Sequence, residues 1–168
     1  MRGVEAIGWR VIEKADSYGG RKMTWEGNFG SVLAREFEAT RNMTINDAIF
    51  VKKGEAYLQL HFSYDRWERK KRAITIKNVD QDLEYLAAWM RVQDARHSHV
   101  YGVTNKHVAS VAASRYGFHT IKLESNPLYK LWVSLGYKVL GGRKNPGETI
   151  VCYQSRDDFI KRHLMGGK

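Results

Sequence analysis

The chain reads as an α/β domain on a mixed, mainly antiparallel sheet with helices on both faces, and three observations predict it. Residues 48 to 65, AIFVKKGEAYLQLHFSYD, hold two β-prone runs around a Lys-Gly-Glu turn. The second alternates Ala56, Leu58, Leu60, Phe62 and Tyr64 with Tyr57, Gln59, His61 and Ser63, the period of a strand. From residue 81 the apolar period lengthens, and Leu83, Leu86, Ala87, Met90 and Ala95 share one helical face. Further on, RYGFHTIKL (115 to 123) and SLGYKVLGG (134 to 142) each end a helical run with Gly and an aromatic before a β-prone run. Antiparallel strands followed by alternating helices and strands define the class.

The elements follow in order. AIGWRVIEK (6 to 14) predicts a first strand, and the Gly-rich SYGGRK after it a loop. Asn28 caps a helix over 29 to 41, in which Phe29, Val32, Leu33, Glu36 and Phe37 fall at 3.6-residue spacing. The hairpin of 48 to 65 comes next, and RAITIKNV (72 to 79) adds a third antiparallel strand to complete a meander. Asp80 then caps the helix that runs to about residue 97, and HVYGVT (99 to 104) forms a strand. Asn105 opens a helix with Val108, Val111 and Ala112 inward, and HTIKL is the strand beyond it. Pro127 suits the first turn of a helix over 128 to 136, leading to the strand YKVLG. A turn at KNPGE, the strand TIVCYQ (149 to 154) and a short helix over 156 to 164 close the chain.

At 168 residues, 43% of them hydrophobic and only two of them proline, the chain suits one domain over 1 to 164 with a flexible tail from Met165. The single Cys152 excludes an internal disulfide and points to a reducing compartment, the cytoplasm. No window approaches the roughly 18 apolar residues of a membrane span, so no membrane partner is expected. The oligomeric state leaves no mark on the sequence.

The net charge of +10 is uneven. Residues 1 to 84 hold 15 Lys/Arg against 13 Asp/Glu, or +2, and residues 85 to 168 hold 13 against 5, or +8. Such an excess concentrates anionic partners, whether nucleic acid or a phosphorylated cofactor. Its densest stretch is RWERKKR, where Arg66, Arg69, Lys70, Lys71 and Arg72 surround Trp67. A phosphate-contacting loop with a stacking aromatic fits this run, and so does a solvated turn with basic edge protection.

The order of elements, with Asn105 after a strand and Gly117-Phe118 closing the next helix, resembles the GNAT superfamily of acyl-CoA N-acyltransferases. Its C-terminal half carries the pattern N-x-x-A-x-x-L-Y-x-x-L-G-F. VYGVTNKHVASVAASRYGF is similar to it, although one residue longer and with Ala112 at the tyrosine position. SNPLYKLWVSLGY also resembles it: Leu131, Leu135, Gly136 and Tyr137 match, while Ser125, Leu128 and Trp132 replace Asn, Ala and Tyr.

The resemblance implies acyl-CoA as cofactor and an amine as acceptor. If HVYGVT is the family's fifth strand, residues 72 to 79 are its fourth. The backbone of Val79, Asp80 and Gln81, together with Asn105, then contacts the cofactor. HVYGVT as the fourth strand is the competing register. The family's Q/R-x-x-G-x-G/A loop is missing: the junction reads IKNVDQDLEYL, with no glycine, and Asp80, Asp82 and Glu84 would repel a diphosphate. Tyr116 or Tyr129 is then the general acid, and His61, Asp65 or Asp80 the base, each with an ordinary structural role as its alternative. His97 and His99 lack a third partner for a metal.

The other reading is a GNAT fold that has lost the acyl-CoA site and serves as a nucleic-acid or protein-assembly module through its basic surface. Small glycine-free relatives of this kind among phage accessory and virion proteins would place it in host cytoplasm or virion.

Overall fold

The computed structural model describes residues 20–45, 48–62, 76–93, 96–104, 106–122 and 150–166. They form β1 (Arg21–Phe29), β2 (Val32–Ala39), β3 (Met43–Ile45), β4 (Ala48–Val51), β5 (Ala56–Phe62), α1 (Ile76–Val92), β6 (His97–Thr104), α2 (Lys106–Tyr116), β7 (His119–Lys122), β8 (Ile150–Ser155) and α3 (Arg156–Leu164). Six strands make one sheet in the order β1-β2-β5-β6-β8-β7, and β3 pairs with β4 in a separate ribbon. Only β5 and β6 run parallel; the other pairings are antiparallel. The fold is therefore α/β with a mixed, mainly antiparallel sheet, and α1 is the crossover that a parallel pair requires.

The core follows from the helix stripes. Val79, Leu83, Leu86, Ala87 and Met90 of α1 pack on Val32, Ala34, Leu58 and Val100 of the sheet. Phe159 and Ile160 of α3 and Ala109 and Tyr116 of α2 join the same cluster. Leu58, Leu86, Met90 and Phe159 are fully buried, each contributing about 1.5–3 kcal/mol of transfer free energy. On the other face Phe37, Tyr57, Tyr101 and Val151 pack with Val51 of the ribbon, and the Tyr57 hydroxyl reaches Met43 Sδ at 3.1 Å.

Local chemistry sets the ends. Ser155 caps α3 by accepting from the Asp158 N–H at 3.2 Å, with acids in the first turn and bases in the last. Gly117, at φ 72°, ends α2, and Phe118 drops into the core in T-shaped contact with Phe159. That is the expected Gly-aromatic closure. The second such unit, the helix over 128 to 136, the strand YKVLG and the strand over 6 to 14 lie outside the described residues.

Three expectations are corrected. Residues 29 to 41 are not a helix but the end of β1 and all of β2, joined by Gly30 and Ser31 with Gly30 at φ 58°. This is a two-residue hairpin turn with the positive φ such turns need. Because β2 lies between β1 and β5 and is buried on both faces, its apolar positions mimic a helical stripe. The expected hairpin of 48 to 65 does not form either: β4 pairs with β3, and β5 pairs with β2 and β6. Finally, residues 76 to 79 are the first turn of α1 rather than a third strand, so Asp80 is an interior helical residue and not a cap.

Candidate functional site

The parallel pair positions the site. Registered pairs between β5 and β6 run from Ala56 with His97 to Gln59 with Tyr101, and both strands continue three residues further. The carboxyl ends of both strands lie at the end of the sheet from which the chain leads on to α1 and α2. Ligands of open α/β sheets collect at the carboxyl ends of strands, where helices start. Neither helix has an acidic residue in its first turn, and Lys77 and Lys106 are exposed there. Lys122 is level with Thr104 through Ile150, so it adds a third exposed cation at the same end.

Acidic neighbours are otherwise engaged. Asp82 Oδ2 accepts from the Ser31 backbone N–H at 2.7 Å and from its hydroxyl at 2.5 Å, which docks the β1–β2 turn on α1. Asp80 takes a forked bond from Arg115, Nε to Oδ1 at 3.2 Å and Nη2 to Oδ2 at 2.6 Å. The guanidinium holds its carboxyl below the usual range. The expected contacts to a cofactor from Val79, Asp80 and Gln81 are therefore corrected: Val79 is core, Asp80 is ion-paired and Gln81 bonds Tyr85 at 3.0 Å. The N–H groups of Asp80 and Gln81 also lie past the first turn, where a helix's open amides are found.

His61 projects from β5 to the second face, beside Arg35 and Arg21. Its Nε2 is buried with no hydrogen-bond partner among the described residues. Burial first, and those two guanidiniums after it, push the imidazole down to about 3. His61 is neutral at pH 7 but a weak base. Arg35 donates to Glu26 at 2.7 Å, and Arg21 donates to Gln59 at 3.2 Å and to the Tyr101 hydroxyl.

Tyr116 lies on the helical face instead, so the sheet separates it from His61. Its hydroxyl is buried and interacts with Asp80 and Arg115. Asn105, Asp65, Tyr129 and the basic run Arg66, Trp67, Arg69, Lys70, Lys71 and Arg72 lie outside the described residues.

Sequence reasoning missed a second polar cluster. At the opposite end of β5, Glu36 of β2 meets His97 Nε2 at 2.6 Å, the Thr24 hydroxyl at 2.5 Å and Arg96 Nη2 at 3.0 Å. His97 also lies against Trp89, which stacks on Trp25 with ring centroids 4.6 Å apart. Thr24 and His97 draw the Glu36 carboxyl down despite its burial, and burial keeps His97 low despite Glu36. No motif announces it, because its members are distant in the chain. It is a closed polar clasp rather than an opening.

Among the described residues no three His, Cys, Asp or Glu side chains converge as a metal would need. No described helix is long and apolar enough to cross a membrane. No protein-family model matches the chain, and neither a curated protein nor a solved structure matches it.

Proposed function

We propose that the chain is an acyl-CoA-dependent N-acyltransferase whose cofactor lies at the carboxyl ends of β5 and β6. The observation that carries this is the unit β5–α1–β6–α2, a parallel pair followed by two helices without first-turn acids. Helix starts of this kind favour a diphosphate. In the register with HVYGVT as the family's fifth strand, β5 takes the place of the fourth strand and residues 63 to 75 become the connection to the helix. That segment has no glycine, but it contains Arg66, Arg69, Lys70, Lys71 and Arg72. Cationic side chains suit the role that backbone amides play in a glycine loop.

The bound thioester would supply the electrophilic carbonyl carbon. Arg21 and Arg35 lie beside His61 on the face of the sheet away from Tyr116, where burial first and these two cations after it lower the imidazole. His61 is therefore set aside as the base, and solvent takes the proton that the amine releases when its bond to the acyl carbon forms. Tyr116 is the proton donor within described reach of α1, being pushed up to about 12 by burial and Asp80 and therefore protonated at neutral pH.

Calorimetric titration with acetyl-CoA, alongside desulfo-CoA, tests the reading. Micromolar binding of both supports it, and absence of binding by either overturns it. A second reading, a nucleic-acid-binding module, draws on exposed Lys77, Lys106 and Lys122 and on RWERKKR. It requires affinity that falls steeply with salt and is lost when Lys70, Lys71 and Arg72 are replaced together.

A further inference from the structure

We propose that β1 is an interaction surface for a second copy of this chain: the two β1 strands pair antiparallel about a two-fold axis, with Thr24 of each opposite Trp25 of the other. The inference goes beyond the acyl-transfer reading and does not depend on it.

β1 ends the six-stranded sheet, and among the described residues no strand lies along its outer edge. It is nine residues long, with Lys22, Thr24, Glu26 and Asn28 exposed and Met23, Trp25 and Phe29 half-buried. A long edge strand offers its outward backbone groups to another strand. Apolar surface continues beside it on α1. Trp89 stacks on Trp25, and Tyr85 and Val92, four residues before and three after Trp89, are 57% and 74% exposed. Those spacings put both on the flank of α1 that carries Trp89.

The face pattern of β1 selects the partner. Its pairing with β2 skips Thr24, so the alternation slips there and Thr24 and Trp25 both lie on the helical face. Trp25 and Phe29 pack in the helical cluster and the Thr24 hydroxyl meets Glu36, whereas Met23 packs in the second-face cluster and Glu26 accepts from Arg35. Arg21, Met23, Glu26 and Asn28 thus share the second face, and Lys22, Thr24, Trp25 and Gly27 the helical one. From 21 to 28 this order is the same in both directions. Residues opposite each other in a pair must share a face, and the inverted copy meets that condition at every position, from Arg21 opposite Asn28 to Thr24 opposite Trp25. A bulge ordinarily guards an edge, because a regular strand cannot follow it; here each bulge lies opposite its mate. The backbone agrees. Phe29 pairs with Val32 across the two-residue turn, so Asn28 beside it turns its N–H outward. Charge agrees too: no like charges stand opposite, and Lys22 faces the copy's Gly27. The Trp25 indole lies over that glycine, where an added Cβ would be 2.2 Å from Trp25 Cη2. The Lys22 stem covers the indole and its ammonium is drawn to the ring.

The test is sedimentation equilibrium of the full chain from low to high micromolar concentration, where a species of twice the 19.4 kDa chain is expected. A chain that stays monomeric overturns the proposal. Asn28→Pro removes one outward N–H from each side of the axis, a substitution that an edge strand tolerates, and weakens the dimer about tenfold or more. Circular dichroism confirms that the variant is folded. Amide hydrogen exchange of the wild type, followed by nuclear magnetic resonance, decides the matter without any variant. The outward N–H groups of Met23, Glu26 and Asn28 exchange more slowly as concentration rises, and the Phe29 N–H, already turned to β2, does not change. A dimer that survives Asn28→Pro unweakened, or one that forms without protecting those three amides, joins through another surface and overturns the proposal.

Discussion

Glu36 on β2 and His97 on β6 meet at 2.6 Å across the intervening β5, so the two neighbours of that strand are joined by a side-chain bond as well as by the sheet. Side chains of Glu36 and His97 are only 4% and 1% exposed. The bond sits beside an irregular stretch of pairing between Ala56–Leu58 and His97–Val100, where β6 has one residue more than β5. Such bulges re-aim side chains, and here one aims His97 at the carboxylate.

Removing one partner of a buried charged contact leaves the other unsatisfied. Glu36→Ala is expected to destabilise the protein by about 3–5 kcal/mol in urea unfolding. In a double-mutant cycle with His97→Ala, the two losses should fall well short of adding. Full additivity would mean that the contact does not couple the strands.

Stability should fall on acidification. His163 and His61 are pushed down to about 4 and about 3 from an ordinary value of 6.5, so the unfolded chain binds more protons than the folded one below pH 6.5. Their contribution is complete above pH 6.5 and is lost as pH falls towards 4 and then 3. Glu36, whose carboxyl is lowered, adds to the loss at the acid end of this range. Urea midpoints at pH 7 and pH 5 check this: His163→Gln should show a smaller drop than the wild type, and equal drops would contradict the assignment.

Gly30 has two reasons to be glycine. Its φ is 58°, and an added Cβ would stand 1.8 Å from Asp82 Oδ1. Gly30→Ala should therefore cost about 1–3 kcal/mol, and in an Asp82→Ala background the cost should shrink towards the backbone term alone. Thermal unfolding of the four proteins in that cycle separates the contact from the backbone strain.

Charge at the carboxyl ends of β5 and β6 should tune cofactor affinity. Lys106→Glu or Lys77→Glu should weaken acetyl-CoA binding about fivefold each, near 1 kcal/mol. Lys52→Glu, in the turn before β5 at the other end of the strand, should leave it unchanged. Equal effects from all three, measured by calorimetry at one ionic strength, would indicate general electrostatics rather than a site.

What the sequence by itself determined is local. The stripe Leu83, Leu86, Ala87 and Met90, the Gly117-Phe118 closure, the strands around Val100 and Val151, and the short helix over 156 to 164 depend on near neighbours, so period and turn chemistry reveal them. Tertiary structure alone decided the rest. Residues 32 to 39 became a strand because β1 and β5 pair with its two edges and core clusters cover its two faces, a burial that a single strand's pattern cannot distinguish from a helical stripe. The start of α1 at Ile76 turned an apparent acidic junction into helix interior and moved the open amides to a turn without acids. The polar pairs are longer-ranged still: Arg115 finds Asp80 across 35 residues, and His97 finds Glu36 across 61. A buried charge is stable only with a partner, and the partner is chosen by how the strands are ordered, which no local spacing records.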